Sequence, residues 1–373
     1  MKRIKVLQFI CSSGFYGAER WVLALAKNLN REQIVCDLVV TNEGQSSEPE
    51  IVQPYRRDCG EVYQLDMNHR FDFSVVDKLA ALIREHDFDI IHTHGYKSDI
   101  LGLWAAKKAG IQIVMTPHGF STNIDIKLKS FIWLGCQTFR FADRVAPLSP
   151  QLMKDMERYR VKEDRLVYVQ NGVDLSEAEA QRDKPNTLSD VIEGEKRIGF
   201  IGQMIERKNI RHILDIFDDL QQRHGNMRLF LLGDGESRAG LEAYAADLAS
   251  ADKIEFLGFR DDRMEWLQSF DLFVMTSILE GIPRCLMETM AMGVPVAAYD
   301  ISGVDQLVKH NETGLLARLN DKTSLTQHWE TILFNPDESG RLIANARAYV
   351  QQHYSAKRMA DEYTELFVDM VED

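Results

Sequence analysis

Apolar positions along this chain follow two spacings that take turns. Nearly continuous apolar runs, beginning with "IKVLQFI" at Ile4, alternate with longer stretches in which apolar residues return every three or four positions, as in "AERWVLALAKNL". "VCDLVV" comes next, "VVDKLAALIREH" leads into "DIIHTH", and "DILGLWAAKKAG" leads into "IQIVMTPH". The short runs predict strands buried on both faces and the periodic stretches predict helices, so their order implies a parallel sheet covered on both sides. The pattern pauses between Asp174 and Lys196, where "SEAEAQRDKPNTLSDVIEGEK" is polar without an apolar period and predicts a linker. It restarts with "RIGFIGQ", "RHILDIFDDLQQRHG", "MRLFLLGDG", "KIEFLGF" and "MEWLQSFDLFVMTS", and runs on through "VPVAAYD" and "TGLLARL". The prediction is an α/β chain of two doubly wound, Rossmann-like domains, residues 1–173 and 174–354, with the linker 174–196 counted in the second. Ligands of such sheets bind beyond the carboxyl ends of the strands, so the residues just after each strand are the ones to search.

A chain of 373 residues, 45% of them apolar and without low-complexity tracts, has material for two separate cores. The net charge of -13 argues against nucleic acid as a partner, and it is uneven, about +2 over residues 1–170 and -15 over 171–373. The halves are therefore expected to meet different surfaces. Cys11, Cys36, Cys59, Cys136 and Cys285 lie far apart without CxxC spacing, which speaks against a disulfide framework or a zinc site and for a reducing compartment. The opening "MKRIKVLQFICSSG" imitates a secretory signal, but Gln8 interrupts an apolar run already too short, and a first strand is the better reading. No stretch approaches the ~20 apolar residues of a membrane span. The expected location is the cytoplasm.

Four turns after predicted strands carry candidate chemistry. In "CSSGFYGAER", Gly14 and Gly17 let backbone N–H groups approach an anion at a helix start; a flexible turn with no ligand is the alternative. His118, after "IVMTP", can hydrogen-bond a substrate hydroxyl or a phosphate, or can be a satisfied structural histidine. With His92 and His94 it raises the idea of a metal site, which the lack of a carboxylate at ligand spacing argues against. The acidic "DFD" at Asp87 to Asp89 precedes its strand and so falls at the wrong end of the sheet. In "FIGQMIERKNI", Arg207 and Lys208 sit just before a helix and form either a phosphate clamp or an exposed charged helix start.

The fourth turn, "FVMTSILEGIPRCLME", reads as strand, loop and helix, with Pro283 at the first helical position. The N–H groups of Ile282, Arg284 and Cys285 then lie at the positive end of the helix dipole, suited to a diphosphate. Glu280 precedes the turn and Glu288 falls about one and a half turns into the helix. Each carboxylate can accept hydrogen bonds from neighbouring hydroxyls, so Glu280 suits a sugar and Glu288 a ribose. A capping acid paired with a solvated acid fits less well, because Glu288 is set among Leu286, Met287 and Met290.

The segment "EGIPRCLMETMAMGVPVAAYD" resembles the E-x7-E segment of retaining glycosyltransferases of family 4. The glycine loop at Gly14 to Glu19, "HTHGYKSDILG", "PHG", "QNGVD", "GDGE" and "LGF" resemble that family in the same order, over nearly the whole chain. The resemblance implies the GT-B fold, two facing Rossmann-like domains with a deep inter-domain cleft. It also implies a C-terminal helix, residues 355–373 of the amphipathic "SAKRMADEYTELFVDMVED", packed back on the N-terminal domain. By the same likeness Glu280 contacts the donor sugar and Glu288 the ribose, Arg207 and Lys208 hold the diphosphate, backbone near Phe259 meets the base, Gly17 the β-phosphate region and His118 the reacting sugar. Gly202, Gly281, Ile282, Pro283, Arg284 and Cys285 complete the donor set. Gly202 is followed by Gln203 where the family usually has arginine, so one phosphate cation is absent.

The implied reaction moves a sugar with retention from a nucleotide-diphosphate sugar, UDP favoured over GDP, to a glycan or lipid-linked acceptor in surface polysaccharide or lipopolysaccharide assembly. No carboxylate stands out as a nucleophile, which favours front-face attack supported by Arg207, Lys208 and helix N–H groups, with no metal or other cofactor expected. A GT-B nucleotide-sugar epimerase and a non-catalytic binding subunit are the rival readings. The acceptor is expected on the N-terminal domain, where "DIKLKSFIWLGCQTFRFADR" combines Lys127, Lys129, Arg140 and Arg144 with Phe131, Ile132, Trp133, Leu134, Phe139 and Phe141. Such a helix suits peripheral contact with the inner face of a membrane, or else is a core helix with a solvated face.

Overall fold

The computed structural model describes residues 3–11, 14, 17–42, 48–67, 72–118, 132–188 and 192–372. Those residues form two parallel six-stranded sheets. The first holds β1 (Ile4–Ile10), β2 (Ile34–Asn42), β3 (Val62–Asp66), β4 (Ile90–Thr93), β5 (Gln112–Met115) and β6 (Arg144–Val145), in the order β3-β2-β1-β4-β5-β6. The second holds β7 (Lys196–Ile201), β8 (Met227–Leu232), β9 (Ile254–Gly258), β10 (Leu272–Met275), β11 (Val296–Asp300) and β12 (Leu315–Arg318), in the order β12-β11-β10-β7-β8-β9. The order reverses between β1 and β4 in one sheet and between β7 and β10 in the other. Ligands of doubly wound sheets bind at such reversals.

Alternation within β1 explains why its apolar run is continuous. Val6 and Ile10 join a core with Trp21, Val22 and Leu25 of the first helix, Gly17–Asn28, while Leu7 and Phe9 join a second core on the other face. The last helix, Ala356–Glu372, packs against Gly17–Asn28 and sends Met359, Tyr363 and Phe367 into the first of these cores. Each such side chain removed from water contributes about 1.5–3 kcal/mol. The compact units are accordingly Met1–Val173 with Ser355–Asp373, and Asp174–Tyr354. Among the described residues no helix is long and apolar enough to cross a membrane.

The zone expected to be linker departs from that expectation. A short helix, Ser176–Arg182, lies inside it and packs on the helices Arg263–Gln268 and Arg284–Met292. It buries a single alanine, Ala178, so it leaves no apolar period to read.

Candidate active site

In the C-terminal unit the chain leaves β7 at Ile201 and runs beside the glycine turn that follows β8. A Cβ on Gly233 would stand 2.0 Å from the Gly202 oxygen, so only glycine permits this approach. A single helical turn, Glu206–Lys208, then presents the two cations and ends on Asn209 in the left-handed conformation at φ 49°. The segment after β10 is tied to this turn. Ile278 N–H donates to the Arg207 carbonyl at 2.9 Å, and the Thr276 hydroxyl lies 3.1 and 2.9 Å from the Lys208 and Asn209 carbonyls.

This tie brings Glu280 between the cations. Its Oε1 accepts from Lys208 Nζ at 2.5 Å and its Oε2 from Arg207 Nη1 at 3.0 Å, while Arg207 Nη1 also reaches the Leu279 carbonyl at 2.9 Å. The side chains of Glu280 and Lys208 are only 7% and 9% exposed, whereas Arg207 is 41% exposed. Burial pushes the Glu280 carboxyl up, but the bonds and charges of Lys208 and Arg207 outweigh it and hold the group below its ordinary value. One carboxylate set against two cations leaves a net charge of about +1, a place suited to a diphosphate.

Glu280 and Gly281 are held from behind by Gly303. Gly303 has φ +91°, and a Cβ there would stand 1.7 Å from the Gly281 oxygen. The helix that follows is Arg284–Met292, and Pro283 is its cap, not its first residue as the sequence predicts. Pro283 has ψ 118°, outside the helical range, and its carbonyl accepts from Leu286 N–H at 3.1 Å. The N–H groups of Arg284 and Cys285, at the first two helical positions, have no acceptor within the helix and sit at its positive end. Ile282 precedes them in the loop, and Cys285 carries a thiol that burial pushes up to about 12.

Glu288 lies one turn in, 6% exposed. It is not solvated. Its Oε1 accepts from Arg284 Nε at 2.7 Å and lies 3.5 Å from Arg263, which also binds Glu177 at 2.9 Å. Arg263 is a residue the sequence reading missed, because nothing in "FRDDRMEW" indicates a partner 25 positions away. Phe259, just past β9, is 80% exposed and follows Gly258, whose carbonyl accepts from Gly233 N–H at 2.7 Å. Gln203 is exposed, close in sequence to the cationic turn.

Gly17 and His118 belong to the N-terminal unit. Gly17 is the exposed first residue of its helix, and a Cβ there meets nothing within 4 Å. One turn on, Trp21 sets its ring edge-on to His118 at 4.9 Å and to Tyr363 at 5.5 Å. His118 Nε2 lies 3.1 Å from His94 Nδ1, and His92 Nε2 lies 2.8 Å from the Thr116 hydroxyl, itself 2.7 Å from the Tyr363 hydroxyl. The three imidazoles thus bond to neighbours instead of converging on one point. Among the described residues no group of three or more His, Cys, Asp or Glu is disposed to hold a metal ion. Burial pushes the His118 imidazole down to about 4. Of the aromatic helix, Lys127, Lys129 and Phe131 lie outside the described residues. Trp133, Leu134 and Phe141 are at least half exposed, while Phe139 is buried.

Residues 15–177 match the family described as Glycosyltransferase Family 4, and residues 184–349 match Glycosyl transferases group 1. The chain belongs to glycosyltransferase family 4. This family 4 chain is 27% identical over 314 residues to the UDP-Gal:alpha-D-GlcNAc-diphosphoundecaprenol alpha-1,3-galactosyltransferase of Escherichia coli, covering 80% of each chain. It is 23% identical to the N-acetyl-alpha-D-glucosaminyl L-malate synthase of Bacillus anthracis, over 81% of this chain and 80% of that one. Among solved structures, a glycosyltransferase of Rickettsia africae superposes with a TM-score of 0.82 at 19% identity over the full length of both chains. HepE of Anabaena in complex with UDP superposes at 0.79 with 18% identity, covering 98% of this chain and all of that one. These likenesses establish the GT-B fold of the family 4 chain.

Proposed function

We propose that this chain is a retaining glycosyltransferase that moves a sugar from a UDP-sugar to a glycan or lipid-linked acceptor without a metal ion. The observation that carries the reading is the cluster of Lys208, Arg207 and Glu280 beside the free N–H groups of Arg284 and Cys285. A leaving diphosphate concentrates negative charge, and fixed cations with helix N–H groups stabilise it without reorganising. Both Glu280 oxygens are engaged and its carboxyl is held low, so it is a poor nucleophile. That supports front-face transfer, with the acceptor's proton passing to the departing diphosphate oxygen. Glu288, oriented by Arg284 and Arg263, takes the ribose; Phe259 flanks the base; His118 takes the sugar.

The choice of UDP draws on the Escherichia coli relative, whose name carries a UDP-sugar donor and a lipid diphosphate acceptor, and on the UDP bound to HepE. A membrane-borne acceptor accords with the exposed Trp104 and Phe141, over which Lys107 lies at 5.9 and 5.1 Å, a basic and aromatic surface suited to lipid headgroups.

A thermal-shift panel of UDP, GDP and their sugar conjugates, run in EDTA on wild type and Glu288→Ala, tests the proposal. A ligand at 100 times its Kd adds about 2.7 kcal/mol. The expected outcome is a UDP shift in wild type that Glu288→Ala loses. No shift with any nucleotide sinks the donor site as drawn. Interconversion of the UDP-sugar without an acceptor makes the chain an epimerase, and binding with no turnover makes it a binding subunit.

A further inference from the structure

Gln8 is a polar residue in the middle of β1, fully buried on the face covered by the first and last helices. Burying an amide costs free energy unless it is bonded. The Gln8 amide is bonded on both sides. Its Nε2 donates to Cys36 Sγ at 3.3 Å, and Cys36 is held in turn by the Tyr55 hydroxyl, 3.2 Å from the Cys36 carbonyl and 3.4 Å from the sulfur. Its Oε1 lies 2.7 Å from His94 Nε2, and His94 Nδ1 lies 3.1 Å from His118 Nε2.

An amide oxygen carries no hydrogen, so the bond between Gln8 and His94 requires the proton on His94 Nε2. A neutral His94 then has a bare Nδ1, and its bond to His118 requires the proton on His118 Nε2. The remaining nitrogen of a neutral His118, Nδ1, has no partner among the described residues. We infer that Gln8 is a positioning residue, which through His94 fixes His118 in the Nε2-protonated form and makes His118 Nδ1 an acceptor for a ligand hydroxyl and not a partner for phosphate. The inference rests on the reading of His118 as facing the donor sugar. Burial keeps both rings neutral, His94 well below its ordinary value and His118 near about 4. Trp21, 5.4 Å from the His94 ring and 4.9 Å from that of His118, holds the two ring planes. The arrangement follows the general rule that one imidazole nitrogen is assigned its role by what the other one bonds.

The test uses the full chain with 15N-labelled histidine at neutral pH, the His118 signals being assigned by their loss in His118→Asn. Wild type is expected to show His118 protonated on Nε2. Gln8→Glu sets a carboxyl group against His94 Nε2, which favours a proton on His94 Nδ1 and is expected to move the His118 proton to Nδ1, whereas Gln8→Met, of similar size with no acceptor, is expected to mix the tautomers of both rings. In Gln8→Met the binding of UDP is expected to stay within about twofold, while UDP-glucose weakens about tenfold or more, comparable to the loss of metal affinity when the hydrogen-bond partner of a metal-bound histidine is removed. His118 protonated on Nδ1 in wild type, or an unmoved pattern in Gln8→Met, overturns the inference. If Gln8→Met does not fold, the wild-type and Gln8→Glu spectra decide it. If the tautomers behave as expected but UDP-glucose binds no differently from UDP in wild type and variant alike, control of the proton by Gln8 stands and the reading of His118 as a sugar ligand falls.

Discussion

Replacing Glu280 by glutamine leaves Lys208 as a cation in a place where its side chain is 9% exposed, without the carboxylate that neutralises it. Removing one partner of a buried ion pair costs about 3–5 kcal/mol, because the survivor stays uncompensated. Arg207, at 41% exposure, is screened by solvent and adds little to that sum. Glutamine also keeps an oxygen that can accept from Lys208, so the expected cost is at the low end, about 3 kcal/mol. In a unit of this size 1 kcal/mol moves the thermal midpoint by about 2–4 °C, which gives a fall of about 6–12 °C. Added UDP supplies the missing negative charge, so the shift produced by UDP is expected to be larger in Glu280→Gln than in wild type. Scanning calorimetry with and without UDP reads both quantities. A variant as stable as wild type, with the same UDP shift, refutes the argument that Glu280 holds the cations for a diphosphate.

Gly303→Ala is expected to cost at least about 2 kcal/mol and to abolish the UDP shift, since φ +91° disfavours a side chain and the new Cβ would stand 1.7 Å from the Gly281 oxygen; an unchanged calorimetric midpoint contradicts this. The N-terminal unit is expected to be most stable near pH 6.5. His118, held near about 4 by burial, favours the fold above its unfolded value of about 6.5 and loses that contribution as pH falls toward 4, with His94 and His92 shifted the same way. Buried Asp99, raised to about 8, acts oppositely: its contribution is lost as pH rises toward 8. It offsets His118 below pH 6.5 and acts alone above it, where Asp99→Asn is expected to remove an alkaline decline of about 2 kcal/mol between pH 6.5 and 8, read by calorimetry across pH.

Most strands of the two sheets were legible because they are buried on two faces and so read as continuous runs, β1 and β10 most plainly. Their order was not, since nothing local in β7 says that it lies between β10 and β8. The edge strand β3 went unread: only Val62 of its residues is fully buried, which leaves too little apolar signal. At the candidate site, the E-x7-E spacing marked two carboxylates but not what holds them. Arg284 stands four residues before Glu288 on one helix face, a spacing visible in the sequence. The partners of Glu280 lie 72 and 73 positions away, and only the adjacency of β7 and β10 brings them together. Pro283 misled by one position because its fixed φ suits the cap as well as the first helical residue.

The last helix sets an order of events during synthesis. Tyr363 and Phe367 close a core whose other members begin at Ile4, and the whole of Asp174–Tyr354 is made in between. At about 5–20 residues per second, the 190 residues from Val173 to Tyr363 take about 10–40 s to appear. Over that interval one face of the first sheet is bare where Met359, Tyr363 and Phe367 later sit, and the Thr116 hydroxyl that bonds His92 lacks its second partner, the Tyr363 hydroxyl. The unit begun first on the ribosome is therefore the one finished last, and its histidine cluster takes its final form only after the C-terminal unit has been made.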